Sequence, residues 1–338
     1  MCPAPNRLIV GVDGSEDSEE ALRWANTEAA EWGKELLVVQ FAAADSTDTA
    51  LRTSLEARLQ HEPRQARTSW ESPVISRKAG ARADYLLLLG RAGDWLVLGA
   101  GGHGISSPHG PRRLPAKVVR RCVERTRCPV VIVRAGSVEE EPTGRIVVGF
   151  DDTPNSRAAL AWAFDETVRS GGELVAIHVL ELKDWPPHWS EPDMMRAAHR
   201  MLRRNYAVLQ SGLPREPKRA TGLVLPPSDP VGELIAHGRN ADLLVCGKDG
   251  PYDVAADLVR YASARDSVAD RWTARERQYS TPLADRGRSP TELVIVPADG
   301  DDPRFAAVET DAENHYTSFD LRDQPFDLKV DGYPPQQP

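Results

Sequence analysis

The chain has 338 residues, of which 41% are hydrophobic, and its formal net charge is −8. This length allows two domains of ordinary size, and no run approaches the roughly eighteen apolar residues that a membrane-spanning helix needs. Ten acidic and three basic residues follow position 298, so the rest of the chain is close to neutral. A near-neutral body argues against a general nucleic-acid binder.

The first residues, MCPAPNRLIV, lack the pattern of a signal peptide, in which a basic segment leads into an apolar stretch. The four cysteines have neither the spacing of a zinc site nor that of a redox pair; they are Cys2, Cys122, Cys128 and Cys246. We therefore expect a cytoplasmic protein with free thiols, without a metal ion and without a membrane anchor.

Strands and helices alternate from the start of the chain. The apolar run from Leu8 to Val12 is typical of a buried strand, and Ser15 or Asp17 can cap the helix that follows. That helix ends at Gly33, and the strand ELLVVQF comes next. Further strands are predicted at GDWLVLG and CPVVIVR. The alternation of continuous apolar strands with helices predicts a parallel sheet that is covered on both faces.

The segment that begins with LIVGVDGS at Leu8 returns as IVVGFDDT at Ile146, an offset of 138 residues. Identical residues recur at this offset without a gap over about 35 positions, which indicates an internal duplication. Examples of such pairs are Asp13 and Asp151, Trp24 and Trp162, and Glu28 and Glu166.

The second copy continues with three more predicted strands, ELVAIHVL, ADLLVCG and ELVIVP. Between the copies lies AGSVEEEPTG, whose glycines, glutamates and proline are typical of a linker. We therefore predict a first domain over 1–137, a linker over 138–144, a degenerate second domain over 145–297 and an acidic tail over 298–338.

Three features resemble the universal stress protein family. They are the IVVGFDDT-type strand with its terminal Asp, the strands GDWLVLG and ADLLVCG that end in Gly-x-x-Gly, and the CPVVIVR segment. The resemblance extends over about 7–134 and 145–297 and is weak in 42–74. It implies two tandem Rossmann-like (flavodoxin-like) α/β domains, each with a five-stranded parallel sheet and an adenine-nucleotide pocket. It also implies that the two domains pair through their last strands.

The carboxyl ends of the predicted strands carry candidate ligand contacts. Asp13 follows the first strand of the first copy and is followed by Gly14 and Ser15. Asp151 follows the first strand of the second copy. A carboxylate there can accept hydrogen bonds from ribose hydroxyls or an adenine amino group. The alternative role for each Asp is to order the turn between strand and helix. By the resemblance, the apolar residues beside the adenine are Phe41 and Val179, although both also suit a plain core.

The phosphate loop of the first copy departs from the family pattern, which is Gly-x-x-Gly, nine residues, and then Gly followed by Ser or Thr. Gly99 and Gly102 match its opening. Gly104 adds another residue without a side chain, so more backbone N–H groups are accessible to an anion. The later Gly-Ser position falls on Ala116 and Lys117 after a four-residue insertion. Two alternatives stay open. The loop has either lost its phosphate-binding residues, or cations in it replace the Gly-Ser pair. The cations concerned are Arg112, Arg113 and Lys117.

In the second copy, Gly247 and Gly250 keep the opening, and Ser263 is the best candidate for the Gly-Ser position. Three carboxylates would repel a phosphate here: Asp152, Asp253 and Asp257. We therefore predict that the first copy holds the better site, with ATP as the candidate cofactor. The second copy then serves mainly as a structural partner.

No catalytic residue is evident, because the chain has no Walker loop, nucleophile elbow or kinase signature. We prefer a stress-response protein that binds an adenine nucleotide as a sensor or regulator. A nucleotide-free adaptor that acts through its paired domains and acidic tail is the alternative, and a weak ATPase is a third. The tail has the composition of a disordered segment, although its aromatic residues could instead dock on a protein partner. A homo-oligomer is also left open.

Overall fold

The computed structural model describes residues 6–41, 49–74, 79–101, 116–135, 143–180, 190–211, 217–248, 254–262 and 292–298. Most of the predicted linker and the tail after Ala298 lie outside these residues. The site residues that also lie outside them are Gly102, Gly104, Arg112, Arg113, Gly250, Asp253 and Ser263. Within the described ranges, no helix combines the length and apolar character that a membrane span requires.

The first copy contains five strands and four helices among its described residues. They are β1 (Arg7–Val12), α1 (Glu16–Trp32), β2 (Glu35–Gln40), α2 (Thr49–Gln60), β3 (Arg67–Glu71), α3 (Ala79–Leu89), β4 (Trp95–Gly99), α4 (Ala116–Arg125) and β5 (Val130–Val133).

The described part of the second copy repeats this order. Its elements are β6 (Arg145–Gly149), α5 (Pro154–Ser170), β7 (Glu173–Val179), α6 (Glu191–Ser211), β8 (Arg219–Leu225), α7 (Pro230–Gly238), β9 (Leu243–Gly247), α8 (Val254–Ala262) and β10 (Glu292–Val296).

All ten strands form one sheet, in the order β3-β2-β1-β4-β5-β10-β9-β6-β7-β8. Within each copy the strands are parallel, which confirms the predicted α/β fold with two five-stranded parallel sheets. The two sheets join where β5 and β10 pair antiparallel, with Leu293 opposite Ile132. The predicted pairing through the last strands is therefore present, and neither strand is left as an open edge.

The resemblance implied a fifth strand in each copy, but no local sequence pattern located β3 and β8. Both lie at the outer edges of the ten-stranded sheet. The β3 segment RTSWE is mostly half-buried, and the first three residues of β8 are exposed or half-buried. A strand with one neighbour and a partly solvated face lacks the continuous apolar run that marks the central strands.

Alternate residues of the strands enter two apolar layers on opposite faces of the sheet. In β1, Leu8 and Val10 pack in the layer that contains residues of α1, whereas Ile9 packs in the layer of α3 and α4. The first layer continues across both copies, because Trp95 contacts both Trp32 and Trp162 with ring centroids 6.1 Å and 5.1 Å away. The two copies therefore share a core as well as a sheet.

Candidate functional site

Each copy has one point at which the strand order reverses, between β1 and β4 in the first copy and between β6 and β9 in the second. A crevice forms beyond the carboxyl ends of parallel strands at such a point, and ligands of α/β proteins bind there. Asp13 follows β1 and Gly99 ends β4, while Asp151 follows β6 and Gly247 ends β9. The fold thus brings each predicted Asp to the same crevice as the predicted glycine of its copy.

Asp13 is held in the turn that leads into α1. Its Oδ1 accepts hydrogen bonds from the Ser15 backbone N–H at 3.0 Å and from the Ser15 hydroxyl at 2.7 Å. Ser15 in turn caps α1 by accepting from the Ser18 N–H at 3.3 Å. Asp13 is 1% exposed, and this burial raises the pKa of its carboxyl, although the bonds from Ser15 oppose the rise. These hydrogen bonds order the turn, and contact of Asp13 with a ligand stays a prediction.

Asp151 makes the same contacts in the second copy. Its Oδ1 accepts from the Thr153 backbone N–H at 3.0 Å and from the Thr153 hydroxyl at 2.6 Å, and Thr153 caps α5. Unlike Asp13, Asp151 is exposed. Solvent therefore reaches Asp151 more readily than Asp13, although the sequence predicts the better site in the first copy.

The residue after each Asp adopts a left-handed backbone conformation. Gly14 has φ +78°, and a Cβ at this position would lie 3.2 Å from a methyl carbon of Leu51. Asp152 occupies the same position in the second copy with φ 63°. Its carboxylate accepts from Arg157 Nε at 2.9 Å and from Asn205 Nδ2 at 3.1 Å.

These contacts change the electrostatic expectation for the second copy. Arg157 balances the charge of Asp152, and Arg260 forms an ion pair with Asp257. The predicted repulsion of a phosphate by Asp152 and Asp257 is therefore weaker than the sequence implied, because each carboxylate has its own cation.

Gly99 and Gly247 have a structural task that does not depend on a ligand. A Cβ at Gly99 would lie 2.6 Å from the backbone carbon of Asp17 and 2.7 Å from the Ser18 nitrogen. A Cβ at Gly247 would come within 2.8 Å of the corresponding backbone of Asn155 and Ser156. Only glycine lets the end of the strand lie this close to the first turn of the neighbouring helix.

Two further residues lie near Asp13 at the first crevice, Phe41 and Arg82. Phe41 directly follows β2, is 3% exposed, and donates its N–H to the Val12 carbonyl at 3.0 Å. The guanidinium of Arg82, on α3, lies 5.6 Å from the centroid of the Phe41 ring, and Arg82 is 9% exposed. Its charge is among the influences that lower the pKa of Asp13. Val179, the counterpart of Phe41, ends β7 and is buried in the core.

Arg82 was not among the residues predicted from the sequence. The available indication was an arginine between Ala81 and Ala83 in the segment GARADYLLLL, whose second half is apolar. An arginine in that pattern is more commonly solvated, so only the fold shows that it reaches the crevice.

Lys117 is the second residue of α4, and its side chain is exposed. The first turn of α4 has no acidic residue, whereas the first turn of α8 contains Asp257. Anions are favoured at a helix N-terminus, and Asp257 occupies that position in α8 even though Arg260 balances its charge, so α4 is the better helix for a phosphate. Within the described ranges, no group of three His, Cys, Asp or Glu side chains could hold a metal ion.

Comparison with known proteins agrees with this architecture. The sequence profile of the universal stress protein family matches residues 5–134 and again 142–266. One universal stress protein of Mycobacterium tuberculosis is 28% identical over 283 residues, which cover 78% of this chain and 92% of that protein. A second protein of that species is 27% identical over 267 residues, covering 72% and 87%.

Among solved structures, a universal stress protein from Archaeoglobus fulgidus has a similar fold, with a TM-score of 0.52 at 14% identity. The match covers 87% of this chain and 99% of that chain. Both halves of the chain match the family profile, and the two halves are joined in one sheet. The chain therefore belongs to the universal stress protein family, with two family domains in tandem.

Proposed function

We propose that the protein is a stress-response regulator that binds an adenine nucleotide in the first crevice, with ATP as the first candidate. Nucleotide binding is typical of the family to which the chain belongs. The observation that carries the assignment to the first copy is the arrangement of β1, β4 and α4. The strand order reverses between the two strands, and α4 follows β4 with an acid-free first turn and the exposed Lys117.

In this proposal the sugar and the phosphates contact different parts of the crevice. The ribose hydroxyls lie against the turn of Asp13, Gly14 and Ser15. To bind there, a ribose hydroxyl replaces Ser15 as a hydrogen-bond donor to Asp13. The phosphates lie against the backbone that follows Gly99 and against the N-terminus of α4 with Lys117. The second crevice has the exposed Asp151 but an acidic first turn in α8, so it binds phosphate less well.

Calorimetric titration with ATP tests this assignment. We expect Asp13→Ala and Gly102→Val to weaken binding at least tenfold, or about 1.4 kcal/mol. The matched changes Asp151→Ala and Gly250→Val should have little effect. Thermal unfolding of each variant shows whether it is folded, which matters because Asp13 orders a buried turn. Equal losses from both copies would reject the preference for the first crevice.

A nucleotide-free adaptor is the second candidate. The observation that favours it is the burial of Asp13, Phe41 and Arg82, which leaves little of these side chains accessible to a ligand. An adaptor predicts that the parent protein does not bind ATP in the same titration. The third possibility, a weak ATPase, has no assigned catalytic residue, and release of phosphate from ATP by the parent protein would be required to support it.

A further inference from the structure

The two copies also meet away from the shared sheet, where α1 and α5 contribute charged side chains that we call the inter-copy carboxylate cluster. Arg169 Nη2 donates to Glu28 Oε2 at 3.0 Å, and its Nη1 donates to Glu31 Oε2 at 2.5 Å. The Nε of the same guanidinium donates to Glu166 Oε2 at 2.9 Å. The guanidinium also lies 5.3 Å from the centroid of the Trp32 ring. One arginine therefore donates hydrogen bonds to three carboxylates.

The repeat explains why like charges face each other here. Glu28 and Glu166 are equivalent residues of the two copies, because they are separated by the offset of 138. Pairing of the two copies therefore brings the same carboxylate to the junction from both sides. Glu31 and Arg169 are also equivalent, and the arginine supplies the counter-charge that a second glutamate could not.

The cluster nevertheless keeps an excess of negative charge. The side chains of Glu166 and Glu28 are only 7% and 14% exposed, so water screens their repulsion poorly. The charged groups around Glu28 are Glu31 on its own helix and Glu166 and Arg169 on α5. Arg64, which follows α2, forms an ion pair with Glu31 from a largely exposed position. From the sheet, β4 contributes the uncharged Trp95 beside Trp32.

We propose that the inter-copy carboxylate cluster is a proton-binding site at the contact between the two copies, and that a proton bound by Glu28 tightens their docking. Protonation makes one carboxyl neutral and gives it an O–H donor, so the repulsion between Glu28 and Glu166 is removed. Arg169 keeps its remaining carboxylate partners. Loss of the proton leaves two like charges on α1 and α5, beside the junction of β5 and β10.

The protonation equilibrium lies in the physiological range. Burial raises the pKa of Glu28 from its ordinary 4.5 to about 7, the charge of Glu166 adds to the rise, and Arg169 opposes it. A carboxyl whose pKa is higher in the docked state favours docking when it is protonated. Docking should therefore strengthen as the pH falls from about 7 towards 4.5 and should be weakest above about 7.

Hydrogen–deuterium exchange of the full-length chain, corrected for intrinsic rates, tests the proposal. We expect peptides from β5 and β10 to be on the order of tenfold better protected near pH 6 than near pH 8. Peptides from β2 and β7 serve as internal references, because a change in global stability would affect them equally. In Glu28→Gln, which imitates the neutral carboxyl, protection of β5 and β10 should stay high at both pH values.

Glu19→Gln is the matched control, because Glu19 lies on α1 but pairs with Arg58 outside the cluster. This variant should keep the pH dependence of the parent. If Glu28→Gln does not fold, Glu166→Gln should weaken the pH dependence, because it removes the repulsion that adds to the raised pKa of Glu28 while burial still raises that pKa. The proposal is overturned if protection of β5 and β10 in the parent does not depend on pH, or if the folded Glu28→Gln or Glu166→Gln variant retains the full dependence.

Discussion

The carboxylate of Asp17, in the first turn of α1, accepts a hydrogen bond at 2.9 Å from the backbone N–H of Ala135, which lies just beyond β5. Asn155 has the same position in α5 and accepts from the N–H of Ala298, which lies just beyond β10, at 2.5 Å. In both copies one side chain therefore connects the helix after the first strand to the end of the last strand. The bond fixes the position at which β5 and β10 enter the junction between the copies.

Replacing Asp17 by alanine should lower the free energy of unfolding by about 1–3 kcal/mol, because the Ala135 N–H loses its partner in a partly buried site. Asp17→Asn keeps an acceptor oxygen and should cost clearly less. Urea denaturation of the three proteins measures the difference. Equal losses from both substitutions would show that the hydrogen bond to Ala135 contributes nothing.

The left-handed backbone of Asp152 leads to a second prediction. Asp152→Ala retains a side chain at φ 63° and loses the contacts with Arg157 and Asn205, so we expect a loss of about 2 kcal/mol. Asp152→Gly restores the residue type of Gly14 and relieves the backbone strain, so its loss should be smaller. Chemical denaturation decides between them, and an Ala variant as stable as the Gly variant would exclude strain at this position.

His178 should make stability depend on pH. Burial lowers its pKa below the ordinary 6.5, and its Nδ1–H donates to the Phe150 carbonyl at 2.8 Å, so the folded state holds a neutral ring. Because the unfolded chain binds the proton more readily, this contribution is present above about pH 6.5 and decreases as the pH falls below it. The slope approaches about 1.4 kcal/mol per pH unit for a fully excluded proton.

The matched variant is His178→Gln, because Gln40 occupies the equivalent position in the first copy. The difference in unfolding free energy between parent and variant should change between near pH 7.5 and near pH 5.5. Glu28 is present in both proteins, so its opposite effect on the pH dependence of stability cancels in this difference. A difference that is constant with pH would mean that His178 is protonated equally in both states.

Ile132 tests the junction between the copies. It lies in β5 between Leu98 of β4 and Leu293 of β10. Ile132→Pro removes a ladder donor and a buried side chain, so we expect a loss of about 3 kcal/mol or more and a looser pair of domains. Ile132→Val, the control, should cost about 1 kcal/mol. If small-angle X-ray scattering finds the Pro variant as compact as the parent, the edge-to-edge pairing does not hold the copies together.

The central strands and the duplication could be predicted because they depend on local pattern. The run from Leu8 to Val12 is apolar throughout, because neither face of a strand that is covered on both sides contacts solvent. The recurrence of Asp13 as Asp151 and of Gly99 as Gly247 placed these residues at one edge of the sheet, because the carboxyl ends of parallel strands lie together. The edge strands β3 and β8 have no such pattern and were missed.

Contacts between distant residues were decided by the tertiary structure alone. No local pattern indicates that Arg82 reaches the ring of Phe41, that Asp13 is buried while Asp151 is exposed, or that Arg157 balances Asp152. The repeat did show that Glu28 and Glu166 are equivalent, but only the antiparallel pairing of β5 with β10 brings them to one guanidinium. Spacing along the chain determines which face of a helix or strand a residue occupies, whereas its burial and partners depend on what packs against that face.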